Sequence, residues 1–336
     1  MKNIITWDLG RTKCAAALVK YDPKTQDLFC DGHHSVKLKS CFSLTELVEK
    51  LEHSLDFQFA DADAICIGAA GQYDGEQLHH TMGYPYPMHM EQLARDLHWP
   101  KMAVVHDYTP IVCATFTSYM HTSENLMRLN LCEMNPLGRR VALGVGTGLG
   151  AKDGILFSDG NFWLGTNEVG HIGVSAPPLT DYIYQKRHQE LIAYLRSEGI
   201  LAPNEPLCFE KILSGQGIVR IHRFLNLSTH DHTPEEIGGR ISDGLAEETL
   251  LMFAWYLGLF LGTMQLIFMP EGGMWITGGV VLKHLKVFEC QEFLRGIEAS
   301  PAYMSQRHQI PMGVMCNPEH AFMGGAYYAV KRLLEA

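Results

Sequence analysis

Several short stretches of this 336-residue chain carry side chains whose types and spacing could do chemistry. The glycine-rich stretch Gly146-Thr147-Gly148-Leu149-Gly150 is the most informative. Glycines this closely spaced let the backbone approach a ligand and aim several N–H groups at an anion. The loop therefore suits a phosphate, with Gly146, Thr147, Gly148 and Gly150 as contacts; a plain structural turn is the alternative. It is not a dinucleotide fingerprint, because Ala151 stands where a third spaced glycine is needed and a strand follows rather than a helix. It is not a P-loop either, since Lys152 lies between Ala151 and Asp153. The turn Asp8-Leu9-Gly10-Arg11-Thr12 places a carboxylate at the mouth of a strand, where it can hold hydrated Mg²⁺ beside turn donors. Asp and Gly are equally common in ordinary hairpins.

Three further acids are candidates. Asp107 stands where an apolar strand stops and a helix begins, the edge at which open α/β sheets bind ligands. It could act there as a general base or simply cap the helix. Asn167-Glu168-Val169-Gly170-His171 sets a carboxylate and an imidazole three residues apart. A polyol would use both, the carboxylate accepting from hydroxyls and the imidazole donating or accepting by tautomer; a solvated turn would look the same. Glu210, two residues past Cys208, is a third polar contact or a surface acid. His230-Asp231-His232 looks like a chelate but lacks a third ligand at helical spacing and reads as a solvated loop. His33-His34 and His79-His80 are equally unsupported as ligands.

The elements that must position these residues alternate. An apolar strand over Asn3 to Trp7, the Asp8 turn and a strand over Cys14 to Val19 form a tight unit. Ser43-Leu44-Thr45-Glu46 fits a capping box, and the spacing of Leu44, Leu47, Val48, Leu51 and Leu55 predicts a helix over 43–55. Strands are predicted over 64–69 and 102–106, with helices over 88–98 and from Thr109 to about Met120. A second strand-turn-strand unit surrounds the Gly146 loop, over 141–145 and 151–157. The later half adds helices near 181–198 and 209–224 and from Thr233 onward. Strands alternating with helices give an α/β fold with a largely parallel sheet.

Composition narrows the partners. Lys and Arg total 27 against 37 Asp and Glu, a formal charge of −10 that would repel a phosphate backbone, so no nucleic acid is expected. The nine cysteines are scattered without a Cys-x-x-Cys pair, which indicates neither a disulfide framework nor a zinc cluster. Met1 to Asp8 lacks the apolar core of a secretory signal, and the chain reads as cytoplasmic. Thr249 to Pro270 carries no charge and includes Gly258-x-x-x-Gly262, so it is long enough to span a membrane. Acidic Glu247-Glu248 before it and a strand after it favour a helix buried on all sides, and no membrane partner is expected.

Taken in order, Asp8-Leu9-Gly10-x-Thr12, His106-Asp107-Tyr108, the Gly146 to Gly150 loop, Asn167 to His171, Glu210 to Gly217, Ile276-Thr277-Gly278-Gly279-Val280 and Gly324-Gly325-Ala326 resemble the bacterial glucokinase family. The resemblance spans nearly the whole chain. It implies a two-lobed actin-like ATPase (ribonuclease H-like) α/β fold with mixed sheets flanked by helices, divided into residues 1–108 plus 321–336 and residues 109–320. It implies a homodimer, ATP and a hexose as substrates, and lobes that close on the sugar to exclude water. Asp107 then matches the catalytic base, and His106, Asp107, Glu168, His171 and Glu210 match sugar-binding positions. Asp8, Gly10, Arg11 and Thr12 match one phosphate turn, Gly146 to Gly150 the other, Gly278 and Gly279 the adenosine motif, and Asp8 the Mg²⁺ position.

Three departures bear on specificity. Arg11 replaces the usual second glycine, with Lys13 where asparagine is usual; His106 replaces an asparagine; and His80-Thr81-Met82-Gly83-Tyr84-Pro85-Tyr86-Pro87 replaces a different sugar segment. The expected activity is phosphorylation of glucose to glucose 6-phosphate. The alternatives are a kinase of another hexose or acetamido sugar, or a catalytically weak sugar sensor. The zinc-containing sugar-kinase and repressor family fits less well, because its Cys-rich cluster is absent.

Overall fold

The computed structural model describes every residue except 80–83, 179–180, 227–231 and 336. In chain order its elements are β1 (Lys2–Leu9), β2 (Lys13–Asp22), β3 (Asp27–Lys37), α1 (Leu44–Leu55), β4 (Ala64–Ala69), β5 (Gln72–Tyr73), β6 (Leu78–His79), α2 (Met90–Asp96), β7 (Lys101–His106), α3 (Tyr108–Ala114), β8 (Leu126–Arg128) and β9 (Arg140–Val145). There follow β10 (Leu149–Leu156), β11 (Phe162–Leu164), α4 (Tyr182–Ser197), α5 (Gly215–Leu225), α6 (Pro234–Ser242), α7 (Glu247–Phe268), β12 (Met274–Thr277), α8 (Gly279–Lys283), α9 (Gln291–Glu298), α10 (Met304–Arg307), β13 (Met312–Met315) and α11 (His320–Ala329). The chain forms two compact units, residues 1–127, 156–164 and 315–336 (unit 1) and residues 128–155 and 165–314 (unit 2).

Unit 1 is built on the sheet β3-β2-β1-β4-β7, in which β1 pairs antiparallel with β2 and parallel with β4, and β4 pairs parallel with β7. Ile5, Trp7, Leu9, Cys14, Ala16 and Leu18 pack on one face with Leu47, Val48 and Leu51 of α1, whose apolar stripe comes from the predicted spacing. The Ser43 side chain accepts the Glu46 N–H, but the Glu46 carboxylate reaches back to Phe42 N–H (2.7 Å) rather than to Ser43. α11 covers the sheet's other face, where Gly325 lies against Thr6. Gly324 lets α11 touch the backbone of α3: an added Cβ would stand 1.7 Å from Pro110 O. That packing places α3 in unit 1, whereas the sequence assigned 109 onward to the large domain. The helix expected to run to Met120 ends at Ala114, because Thr115 and Thr117 turn their hydroxyls onto Val112 O (2.6 Å) and Ala114 O (2.7 Å).

Unit 2 repeats the design. β9 pairs antiparallel with β10 and parallel with β12, and β12 pairs parallel with β13. A hairpin followed by two parallel strands thus recurs, as the two strand-turn-strand units predicted. α7 runs through the core, buried along most of its length. Its two glycines carry a close helix crossing rather than a membrane contact: a Cβ on Gly258 would lie 2.0 Å from Phe293 O of α9, and one on Gly262 would lie 2.6 Å from Ile297 O. The helix predicted from Phe209 begins only at Gly215, where Ser214 caps it by accepting the Gly217 N–H at 3.1 Å; 209–211 is a separate 3₁₀ turn. Thr233 and Glu236 form a capping box at the start of α6.

Candidate active site

The carboxyl ends of three adjacent strands gather the unit 1 candidates. Asp8 near the end of β1 faces Gly68 of β4 in register, and Ala69 of β4 faces His106 of β7. Burial pushes the Asp8 carboxyl up, and the Lys13 ammonium partly offsets that. The turn that follows is closed by Gly10 N–H donating to Lys13 O (3.0 Å) and by Leu38 N–H donating to Thr12 O (3.0 Å). Arg11 and Thr12 are exposed on it, and Arg11 keeps an ordinary negative φ. An arginine in place of the second glycine therefore causes no backbone strain.

Asp107 does not cap α3. Its backbone lies in the right-handed helical region and its side chain makes no capping bond, while its N–H donates to Ala69 O at 3.1 Å. The carboxylate Oδ1 stands 3.2 Å from His106 Nδ1. That nitrogen also accepts the Tyr108 N–H (3.3 Å). Tyr84 completes the cluster: its hydroxyl donates to Ala70 O (2.8 Å), and burial together with the nearby Asp107 carboxylate pushes it up. Residues 80–83 of the same segment, and with them His80, Thr81, Met82 and Gly83, lie outside the described residues, as do His230 and Asp231.

The unit 2 candidates surround the Gly146 loop. Strand register sets Thr277 of β12 beside Gly144 of β9, so the loops after both strands emerge together. Gly278 has φ +106°, and a Cβ there would lie 2.3 Å from Val145 O, so only glycine fits. Gly279 follows in open space near Gly146. The Gly146 loop is braced by Gly146 N–H to Gly148 O (2.9 Å) and by Gly215 N–H, at the start of α5, to Gly146 O (2.8 Å). A helix N-terminus beside a glycine-rich loop favours an anion.

The three polyol candidates meet at the same loop. Gly170 lies so close to it that a Cβ would stand 2.2 Å from Leu149 O, which holds the Glu168 to His171 turn against the loop. The pairing of Gly173 with Cys208, Val174 N–H to Leu207 O (2.7 Å) and Phe209 N–H to Ile172 O (3.2 Å) bring Glu210 beside that turn. Glu168 and His171 are exposed, whereas Glu210 is half-buried and accepts the Leu149 N–H at 3.1 Å. Glu210 thus ties the turn to the loop as well as offering a polar group.

Sequence reasoning did not single out the support of this turn. Asn167 Nδ2 donates to Oδ1 of buried Asp153 (3.3 Å), whose other oxygen lies 3.7 Å from Arg139 Nε. Asp153 in a strand predicted from apolar neighbours was the only available signal.

Comparison with known proteins agrees with this arrangement. The Glucokinase family model matches residues 5–332. The chain belongs to the glucokinase family. A glucokinase of Saccharophagus degradans is 24% identical over 335 residues, covering 97% of this chain and 98% of that protein. The crystal structure of glucokinase from an Antarctic psychrotroph superposes with a TM-score of 0.78 at 19% identity, covering 97% of this chain and 98% of that one. That of glucokinase from Balamuthia mandrillaris in complex with glucose gives 0.77 at 18% identity, covering 97% and 93%. The fold is accordingly the α/β fold of the actin-like ATPases, its mixed sheets flanked by helices. Within this glucokinase-family chain, the departures at His106 and Tyr84 fall together at one strand edge next to Asp107.

Proposed function

We propose that the chain transfers the γ-phosphoryl group of ATP to the 6-hydroxyl of glucose, giving ADP and glucose 6-phosphate. The observation that carries this reading is the assembly of Glu168, His171 and Glu210 around the Gly146 loop, in a chain of the glucokinase family. The loop amides and the α5 N-terminus hold ATP phosphates, and Gly278 and Gly279 leave room for the nucleoside. Glu168, His171 and Glu210 take sugar hydroxyls. Asp107 accepts the 6-hydroxyl proton as the O6–phosphorus bond forms and the bond to the ADP oxygen breaks. A carboxylate that does not cap its helix and sits at a strand edge suits that task.

The Asp8 carboxylate is a hard oxygen donor beside a closed, donor-rich turn and fits Mg²⁺ held through water. The ion, when bound, neutralises phosphate charge. Arg11 adds a second cation at the same turn. The enzyme acts in the cytoplasm as a homodimer.

A second reading, a kinase of another hexose or acetamido sugar, is favoured by the cluster of His106 and Tyr84 beside Asp107. A site that reads hydroxyls discriminates strongly when one polar partner changes. ADP release with Mg-ATP and glucose, mannose, N-acetylglucosamine, N-acetylmannosamine or fructose decides between them. The proposal expects the highest kcat/KM with glucose. Preference for another sugar would assign the change to His106 and Tyr84, and tight sugar binding without turnover would make the protein a sensor.

A further inference from the structure

β3 is the edge strand of the unit 1 sheet and pairs antiparallel with β2. In a regular strand, residues three apart point to opposite faces. Here the register shifts: Leu18 opposes Gly32, but Val19 opposes Cys30, which leaves Asp31 as the extra residue of a β-bulge. Cys30 thus pairs with Val19 and His33 with Ala17, two β2 residues that share a face. α11 packs on that face and brings Glu319, its N-cap residue, to the pair.

The three side chains meet. Cys30 Sγ, a His33 ring nitrogen and a Glu319 carboxylate oxygen lie within 4.8 Å of one another, and His33 Nδ1 is 3.8 Å from Glu319 Oε1. The His33 ring lies 5.6 Å from that of Phe322, tilted by 31°, at the start of α11.

We propose that Cys30, His33 and Glu319 form a Zn²⁺ site with three protein ligands and a fourth position open to solvent. One sulfur, one imidazole and one carboxylate make a borderline-soft set that selects Zn²⁺ over Mg²⁺ or Ca²⁺. Tetrahedral zinc at its usual bond lengths separates ligand atoms by about 3.4–3.6 Å. Small rotations of His33 and Glu319, whose side chains are 47% and 34% exposed, close the remaining gap. On binding, the S–H bond breaks, the proton passes to solvent and the sulfur pair bonds zinc. The ion would clamp the edge strand to α11 and so stabilise unit 1.

Cobalt reports the site directly. Co²⁺ titrated into the chelator-stripped full chain is expected to give one equivalent of a near-ultraviolet thiolate-to-cobalt charge-transfer band that Zn²⁺ displaces. Cys30→Ser should abolish the band, and His33→Ala and Glu319→Gln should each weaken Zn²⁺ binding by calorimetry at least about tenfold. The glucose kinase rate of His33→Ala in Mg-ATP should match wild type, confirming an intact fold. A cobalt band undiminished in Cys30→Ser, Zn²⁺ affinity unchanged in His33→Ala, or no saturable binding by the wild-type chain would overturn the proposal.

Discussion

Asp8 costs the fold stability through its burial. Burial raises its carboxyl above the ordinary value, more than Lys13 lowers it. Between the unfolded and the folded values the folded chain therefore binds more protons, so this group's contribution to stability falls as pH rises through that window. At neutral pH the charge is a burden on the fold. Asp8→Asn is expected to raise Tm by about 1–3 °C while lowering kcat at least about tenfold, read by calorimetry and ADP release. A lower Tm would show that the Lys13 pairing outweighs burial. As candidates, Asp8, Asp107, Glu168, His171 and Glu210 were legible, being acids and an imidazole at turns between predicted elements. The bond from Asn167 to Asp153 and the Cys30 cluster were not, because the partners are distant in sequence or reached through a bulge. His33 was dismissed as a ligand for that reason, with Glu319 at the other end of the chain.

Elements hold these residues through close approaches that only glycine permits. A methyl group on Gly170 would drive the Glu168 turn off Leu149 O. Gly170→Ala should then raise KM for glucose at least about tenfold with a smaller change in KM for ATP, because it displaces sugar ligands first. An equal change in both constants would mean that the loop, not the turn, had moved. In the core, Gly258→Val forces α7 from α9 and should destabilise by about 2–4 kcal/mol in urea unfolding, with insoluble protein the extreme outcome. A variant as stable as wild type would refute the close crossing. Strands β4, β9 and β12 were legible as apolar runs, as was the all-apolar helix α7. β3 was hidden, since it is an edge strand with exposed Phe29, His33 and His34 and a bulge that breaks its alternation. The early end of α3 turns on two threonine hydroxyls whose back-bonding a periodicity count does not register.

At the scale of the whole chain, the net charge of −10 disfavours any anionic ligand, so ATP must be held by local devices. The Gly146 loop, the α5 N-terminus and Arg11 are the devices proposed for it. The duplicated sheets give each unit one candidate phosphate turn, and the proposed polar groups divide between them: Asp107 belongs to unit 1, while Glu168, His171 and Glu210 belong to unit 2. The repeat was visible in sequence as two strand-turn-strand units, but the unit boundary was not, because α3 joins unit 1 through its packing on α11 rather than through any change in composition. This division makes a clean test, since the proposed base is separate from the proposed hydroxyl ligands. Steady-state kinetics with Mg-ATP and glucose, paired with glucose binding by calorimetry, should be measured for wild type and Asp107→Asn. The account predicts a kcat lower by at least about 10²–10⁴-fold with glucose affinity changed far less. A variant that turns over near the wild-type rate would contradict it.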